Sequence, residues 1–362
     1  DVVVDIIPIS IPSSFDFYIT ENSPQYTHVG QPLINYITSS SSTDTCTVTF
    51  CITDYKGDTV QFIGIHSDNG QMLLMKTYLN YEVTPAFSYV VTATDCHGKT
   101  ASTTVNIHVL NVNDPPVFDY CPSGSRYENN ATYSPLFDNT GAVLYEASDE
   151  DSASVTFSIV SVNGQTSLSN MFTVVPQSPF SMYLKTSWVL NYEWVNQYDV
   201  LMSITDGSST IYKVCVVNVI NINEAPVLPS TLTCYVSADA PAGTEICDIS
   251  ASDNDSPTDI NNWGNKSYTI RSSINGVGIR PVGGVAKVKL LKSVTANGWT
   301  SGQTITGLVI RDTDGGGLYA ETAVTIIVKP VAKPPSCPSN TITYTINSDT
   351  TSSIIGTVFG TD

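Results

Sequence analysis

The sequence predicts an all-β protein built from tandem β-sandwiches, and three observations support this. Short stretches alternate apolar and polar residues with the two-residue period of a strand; in TTVNIHV, Val105, Ile107 and Val109 alternate with Asn106 and His108. Gly, Pro, Asn and Ser are plentiful between such stretches, and helical periodicity is weak. Several motifs also recur at a spacing of roughly 100 residues, which is the size of one sandwich domain.

The motifs keep their order from one copy to the next. LNYE at Leu79–Glu82 returns 111 residues later at Leu190–Glu193, and NVNDPPV from Asn111 returns 110 residues later as NINEAPV. ENSP from Glu21 matches ENNA 107 residues on, and VCVVNVI places Cys215 in phase with Val105. A weaker third copy has ASDNDS where the second has ASDEDS, and it ends in KPVAKPP. We therefore expect the tail of a preceding repeat (1–15), two repeats (16–116 and 117–227), a divergent repeat (228–334) and the start of another (335–362).

The charge balance excludes some partners. Acidic residues outnumber basic ones by 33 to 15, and the net charge is -18. This argues against nucleic acid and anionic membranes as partners. It suits divalent cations, and it equally suits a well-solvated surface. No apolar run approaches the roughly 20 residues of a membrane helix, so we expect no membrane contact here, although an anchor could lie outside this stretch.

Cysteines and sequons favour an extracellular or cell-surface protein. Eight cysteines occur without a CxxC motif, beside sequons at Asn130 and Asn265. We expect structural disulfides, with Cys121–Cys215 and Cys234–Cys247 as plausible pairs. The cysteines left over are Cys46, Cys51 and Cys96, an odd set with one member free or paired elsewhere, and Cys337, which could pair beyond the chain.

Acidic residues cluster in the loops that a sandwich would bring to one end. The loops of one unit meet the opening loops of the next, so these carboxylates should converge and repel one another unless a cation lies among them. Asp, Glu and Asn oxygens without His or Cys favour calcium over zinc or copper. Solvated loops and ordinary turns are the alternative reading of any single motif.

The ordered set ENxP, LxYE, AxD, NxND-PP-F and DxD resembles the cadherin repeat, most strongly between Glu21 and Asp314. The resemblance implies seven-stranded Greek-key sandwiches joined end to end, with calcium at each junction. Carried over by motif, the first junction would use Glu21, Glu82, Asn113, Asp114, Asp149, Asp151 and Asp206, with Asn111 as a further candidate. The second would use Glu128, Glu193, Asn223, Glu224, Asp253, Asp255 and Asp312, with Asn221 as a further candidate.

The chain departs from the family pattern in ways that matter for calcium. Asn80 and Asn191 stand where the family usually has Asp, as do Asn111 and Asn221, and Glu224 also replaces an Asp. Each Asp-to-Asn change removes one negative charge, so we expect weaker binding or fewer ions than the family's usual three.

The outer junctions lose their ligand residues. Aligned on the double proline, the linker after the third repeat reads Pro330-Val331-Ala332-Lys333, and that repeat lacks an LNYE segment. At the front, only Asp5 is acidic in DIIPISIP, and the first repeat has SSSSTD (39–44) in place of DxD. We predict two calcium junctions in the middle of the chain, flanked by two without calcium.

No catalytic motif is present. HExxH, GxSxG, GxGxxG and the P-loop are all absent, so we expect no enzyme. One hypothesis is an adhesion array that binds like or unlike protein chains. The other is a structural subunit of an extracellular fibre, favoured by the low charged fraction of 13% and the surplus cysteines. A membrane span and cytoplasmic tail in the full-length protein would favour adhesion, whereas further repeats or a polymerisation domain would favour a fibre.

Overall fold

The structure, a computed structural model, describes residues 9–38, 46–57, 61–130, 134–138, 141–258 and 260–333. The chain divides into two compact units within the second repeat. The first unit comprises Asp1–Arg126, Ala131–Val189 and Gln197–Asn218, and the second comprises Tyr127–Asn130, Leu190–Asn196 and Val219–Asp362. The described residues are nearly all strand and loop, and none of their helices is long and apolar enough to cross a membrane.

The first sandwich lies in the first unit, and its described residues form seven strands in two sheets. The strands are β1 (Ser14–Thr20), β2 (His28–Val29), β3 (Thr49–Lys56), β4 (Ile63–Ile65), β5 (Met72–Leu74), β6 (Ala86–Thr94) and β7 (Thr100–Leu110). A 3-10 helix spans Leu33–Tyr36. One sheet has the order β1-β7-β6-β3, with β1 parallel to β7, and the other has the order β2-β5-β4. Seven strands per sandwich is the number that the resemblance implies.

The predicted alternation of β7 is confirmed. Val105, Ile107 and Val109 are buried in the core between the two sheets, whereas Asn106 and His108 face outward and bond to Asp16 on β1. Burial of one face of each strand stabilises the sandwich by removing apolar surface from water.

The front boundary of the first repeat differs from the prediction. Ile9 is buried in the core of the first sandwich, and Ser10 pairs with Thr38. Residues 9–15 therefore belong to this sandwich and not to the tail of a preceding one. Apolar alternation identifies a buried face, but it does not say which sandwich buries it. Residues 1–8 of the predicted tail and the predicted start of a further repeat (335–362) lie outside the described residues.

The second sandwich is built on the same plan with extra short strands. Its strands are β8 (Val117–Tyr120), β9 (Gly124–Tyr127), β10 (Phe137–Asp138), β11 (Gly141–Ala142), β12 (Leu144–Ser148), β13 (Thr156–Val162), β14 (Phe172–Ser178), β15 (Ser181–Thr186), β16 (Gln197–Thr205) and β17 (Thr210–Ile220). A second 3-10 helix spans Thr166–Met171. The sheet orders are β11-β10-β9-β17-β16-β13 and β14-β15-β12-β8. Cys215 is buried on β17, as its phase with Val105 predicts.

The third sandwich lies in the second unit, and seven strands are again found in the part that the structure describes. They are β18 (Thr231–Ser237), β19 (Glu245–Ile249), β20 (Ser267–Ser272), β21 (Val277–Val282), β22 (Val285–Leu290), β23 (Thr304–Thr313) and β24 (Tyr319–Lys329). The sheet orders are β18-β24-β23-β20, with β18 parallel to β24, and β19-β22-β21. Val227 already pairs with Ser252, so this sandwich begins one residue earlier than predicted.

Among the cysteines that the structure describes, three disulfides link neighbouring strands and loops. Cys121–Cys215 and Cys234–Cys247 form as predicted, and Cys46–Cys96 resolves the odd set. Their Cα–Cα separations of 5.5 to 5.9 Å lie in the usual range for disulfides. Cys51 on β3 keeps an exposed thiol, and Cys337 lies outside the described residues.

Candidate metal centres

A buried glutamate forms the base of the first candidate site. Glu21 follows the end of β1, and its main-chain N–H donates to the carbonyl of Leu110 at the end of β7, 3.1 Å away. The Glu21 carboxylate is only 2% exposed, and it accepts hydrogen bonds from the N–H groups of Tyr81 and Val112, both at 2.7 Å. One side chain therefore holds the LNYE loop and the linker against the end of the sandwich.

Glu128 makes the same contacts one repeat later. Its N–H donates to the carbonyl of Ile220, and its fully buried carboxylate accepts from Tyr192 N–H at 2.8 Å and Ile222 N–H at 2.9 Å. The residue after each glutamate, Asn22 or Asn129, has a positive φ of 56° or 52°, a conformation that asparagine tolerates better than most residues. The motif pairs taken from the sequence thus occupy equivalent places.

Three carboxylates converge at the first site. One oxygen each from Glu21, Glu82 and Asp114 lie within 4.8 Å of one another. Asp151 joins them by accepting the N–H of Asp114 at Oδ2. Asp149 Oδ1 accepts from Asp151 N–H at 3.0 Å, which fixes the DxD turn. The other oxygens, Asp149 Oδ2 and Asp151 Oδ1, are buried without a hydrogen-bond partner.

The linker amides complete this first site. Asn113 Nδ2 donates to Asp206 Oδ2 at 2.8 Å, and Asn111 Nδ2 donates to Glu82 Oε1 at 3.1 Å. Asp206 follows β16, where its Oδ1 accepts the N–H of Ser209 at 2.6 Å. The structure therefore brings together all eight residues that the sequence proposes for the first junction.

The second site repeats this arrangement within the second unit. One oxygen each from Glu128, Glu193 and Glu224 lie within 4.8 Å of one another. Asp255 Oδ2 accepts the N–H of Glu224 at 2.7 Å, and Asp253 Oδ1 accepts the N–H of Asp255 at 3.1 Å. Glu224 Oε2 and Asp253 Oδ2 are buried without a hydrogen-bond partner.

Asp314 belongs to the second site, and the sequence analysis missed it. It follows β23 as Asp206 follows β16, and its Oδ2 accepts a hydrogen bond from Asn223 Nδ2 at 3.0 Å. Its Oδ1 accepts the N–H of Leu318 at 2.8 Å. The counterpart of Asp206 is thus Asp314 and not Asp312. The glycine that follows both residues, Gly207 or Gly315, is the signal that would have found it.

Asp312 instead lies two residues earlier, inside the strand. It faces Tyr268 across the β20–β23 ladder and is fully buried, and a hydrogen bond from the Ser267 main-chain N–H favours its ionised form.

Burial and mutual repulsion shift the pKa values of the carboxylates at the first site. Desolvation raises the pKa of Glu82, and the charges of Glu21 and Asp151 raise it further. Desolvation also raises the pKa of Asp114, with the charges of Glu21, Asp151 and Glu150 adding to the effect. The pKa of Asp151 is lowered, chiefly because Asp114 N–H donates to it. Burial and repulsion both disfavour several negative charges in one place.

Burial and repulsion also shift pKa values at the second site, and more strongly. Desolvation raises the pKa of Glu193 to about 7, and the negative charge of Glu128 adds to it. Desolvation also raises the pKa of Asp253, and it raises the pKa of Asp312, which lies inside β23, to about 6. A cation among these groups would favour their ionised forms.

Calcium fits both donor sets. Its ligands are carboxylate, amide and main-chain oxygens, six to eight in number, and buried carboxylate oxygens without a donor are free to coordinate it. Asp149 Oδ2 and Asp151 Oδ1 meet this description at the first site, as do Glu224 Oε2 and Asp253 Oδ2 at the second.

The linker after the third sandwich has lost the base of the site. Ala238 N–H donates to the carbonyl of Lys329, the contact that Glu21 and Glu128 make in their own repeats. An alanine therefore replaces the buried glutamate, and Val331, Ala332 and Lys333 of the linker are exposed. At the front, Asp5 and residues 39–44 lie outside the described residues. Asp95 keeps the turn geometry of Asp206, since its Oδ1 accepts from His97 and Lys99 N–H.

Both sequon asparagines are exposed. Asn130 follows Asn129 in the turn after β9, and Asn265 lies in the loop before β20. Their glycosylation stays a prediction.

Comparison with known proteins agrees with this geometry. No protein-family model matches the chain. It is 34% identical over 184 residues to human cadherin EGF LAG seven-pass G-type receptor 2, covering 49% of this chain and 6% of that protein. It is 31% identical over 258 residues to human protocadherin-15, covering 67% of this chain and 12% of that protein. The chain thus spans a small part of these relatives.

Solved structures show the same fold. Mouse cadherin-23 EC22-24 superposes with a TM-score of 0.59 over 90% of this chain and 100% of that one, at 17% identity. Fold and sequence similarity together identify the chain as an array of cadherin repeats, which are tandem β-sandwiches of an extracellular or cell-surface protein. These relatives carry the names of cadherins and protocadherins, and none is named as an enzyme.

Proposed function

We propose that this chain is a calcium-binding array of cadherin repeats that associates with other protein chains outside the cell. The observation that carries the calcium assignment is the repeated geometry of two sites. In each, a buried glutamate clamps two main-chain N–H groups and lies within 4.8 Å of two further carboxylates.

Calcium would supply positive charge among the carboxylates of each site. The residues of the chain position the loops and the linker. Glu21 fixes the LNYE loop and the linker, Asp149 and Asp151 form a turn that meets the linker at Asp114, and Asp206 holds the Asn113 amide. Three separate loops thus depend on one set of oxygens, so an ion bound there would order all three. Glu128, Glu224, Asp253, Asp255 and Asp314 play these parts at the second site.

The third linker is proposed to work without calcium. Ala238 offers no carboxylate where Glu21 and Glu128 stand, and Lys333 places a positive charge in the position of Asp114. Calcium would therefore order the linkers at 111–116 and 221–226 but not the one at 330–333.

Adhesion is our preferred role, and a fibre role is the alternative. Cadherin relatives support the first, including one named as a receptor. The exposed thiol of Cys51 supports the second, because it could cross-link chains. Beads coated with the chain should aggregate in calcium and disperse in chelator if the array is adhesive. Beads that stay dispersed in both, while the chain still binds calcium, would favour the fibre.

Thermal unfolding tests the calcium assignment. A ligand that binds only the folded state stabilises it, by about 2.7 kcal/mol per site at a concentration of 100 times Kd. Calcium should therefore raise the melting temperature of the chain over that in chelator, and Glu21→Gln and Glu128→Gln should each remove part of this rise. Glu146→Gln, at an exposed position on β12, is the matched control and should leave it unchanged. Identical melting in calcium and in chelator would contradict the proposal.

A further inference from the structure

The third sandwich carries two charged residues where the second carries two apolar ones. Asp312 on β23 faces Tyr268, and at the same ladder position Ile204 on β16 faces Phe157. Each lies two residues before the aspartate that ends its strand, Asp314 or Asp206, and both are fully buried. A carboxylate therefore replaces an isoleucine at an interior position.

The second replacement has the opposite charge. Lys266 lies two residues before Tyr268, as Val155 lies two residues before Phe157. Both Lys266 and Val155 are half-buried. The valine and isoleucine of the second sandwich thus correspond to a lysine and an aspartate in the third.

Hydrogen bonding compensates the burial of Asp312 only in part, since burial raises its pKa to about 6 although the Ser267 main-chain N–H acts to lower it. Both carboxylate oxygens are buried, and a buried carboxylate is costly unless a cation is close. Lys266 Nζ donates to the carbonyl of Ala251, a buried residue two positions before Asp253. From there its charge lowers the pKa of Asp312 and of Asp253.

We propose that Lys266 is a cation built into the second site, where it compensates Asp312 and Asp253 without a metal. The second site would therefore keep part of its order when calcium is absent. At the first site Val155 takes the place of the lysine, so order there would depend on calcium alone. The comparison of calcium responses rests on the proposed function, whereas the charge pair itself does not.

A double-mutant cycle in chelator tests the pair, and the second sandwich supplies the substitutions. Lys266→Val, Asp312→Ile and the double variant K266V/D312I are compared with the unaltered chain by hydrogen–deuterium exchange of β23. Breaking a buried pair from one side is costly, but replacing both partners by apolar residues is often neutral. We expect exchange in K266V to be faster by at least about tenfold, and exchange in the double variant to return to within about twofold of the unaltered chain. If the effects of the two single substitutions add up to the effect of the double variant, the proposal is overturned.

Calcium and a control lysine complete the test. Lys292→Val, at an exposed lysine of the same sandwich, should leave exchange of β23 unchanged. Calcium should slow exchange in K266V by a larger factor than in the unaltered chain. Without the lysine, more of the negative charge of the carboxylates is left for the ion to compensate. An equal factor would overturn the link to calcium. If no variant responds to calcium, the proposed function fails, and the cycle in chelator still decides the charge pair. If D312I alone abolishes the calcium response, Asp312 is a calcium ligand and the proposal is overturned.

Discussion

At the scale of single residues, amides occupy positions where the family usually has carboxylates. Asn80 Oδ1 accepts the N–H of Val83 at 2.8 Å, and its Nδ2 donates to Glu150. Asn191 Oδ1 accepts the N–H of Trp194 at 2.7 Å in the equivalent turn. An aspartate could keep the first of these bonds, but it could not donate to Glu150. Asn80 therefore lacks the negative charge that an aspartate would bring, but it forms a hydrogen bond to Glu150 that needs no metal.

Asn80→Asp should therefore have effects of opposite sign with and without calcium. We expect calcium affinity at the first site to rise by roughly tenfold, since ligand charge tunes calcium affinity. In chelator the variant should be less stable, because a donor to Glu150 is replaced by a like charge. Calorimetric titration and urea unfolding measure the two effects. Asn170→Asp in the second 3-10 helix is the control. An affinity of Asn80→Asp equal to that of the unaltered chain would contradict a role for position 80 at the first site.

Asp312 should make stability depend on pH when calcium is absent. Its pKa in the folded chain is raised from 3.8 to about 6 by burial, so between these values the folded state holds a proton that the unfolded state has released. The free energy of unfolding should therefore fall as pH rises from about 4 to about 6 and then level off. Urea unfolding of the chain and of Asp312→Asn in chelator measures this, and an equal slope in the two proteins would assign the effect elsewhere.

At the scale of strands, alternation in the sequence predicted which face of a strand is buried. Val105, Ile107 and Val109 on β7 and Cys215 on β17 lie where the period of two placed them. The two-residue strands β10 and β11 and the 3-10 helices were not predicted, since segments so short show no period.

The strand register explains why the sequence motif assigned Asp312, and not Asp314, to the second site. The segment Arg311-Asp312-Thr313-Asp314 contains two aspartates, and the motif spacing does not decide between them. The ladder does decide, because it pairs Asp312 with Tyr268 inside the sandwich and leaves Asp314 at the end of the strand. The carboxylate clusters were predictable from repeated motifs, whereas the proposed compensation of Asp312 by Lys266 emerged only from cross-strand equivalence.

Two neighbouring substitutions on β7 test the strand assignment. Ile107→Ala removes a fully buried side chain and should lower the free energy of unfolding by about 3 kcal/mol. Asn106→Ala removes an outward hydrogen bond to Asp16 and should cost less than about 1 kcal/mol. Urea unfolding compares them, and similar losses would contradict the inward and outward faces described for β7.

At the scale of the whole molecule, the part of the array that the structure describes holds two candidate calcium sites and one linker that has lost its site. Glu21 and Glu128 receive the same main-chain contacts, and Ala238 receives the equivalent contact without a carboxylate. Successive linkers of one chain would thus differ in whether calcium orders them.

Hydrogen–deuterium exchange of the linkers tests this claim most directly. In the first linker, Val112 N–H bonds to Glu21 and Asp114 N–H bonds to Asp151; in the second, Ile222 and Glu224 N–H bond to Glu128 and Asp255. Calcium should slow exchange of residues 111–114 and 221–224 by about tenfold or more relative to chelator, and should leave residues 331–333 unchanged. Equal protection of all three linkers by calcium, or no protection of the first two, would contradict the account.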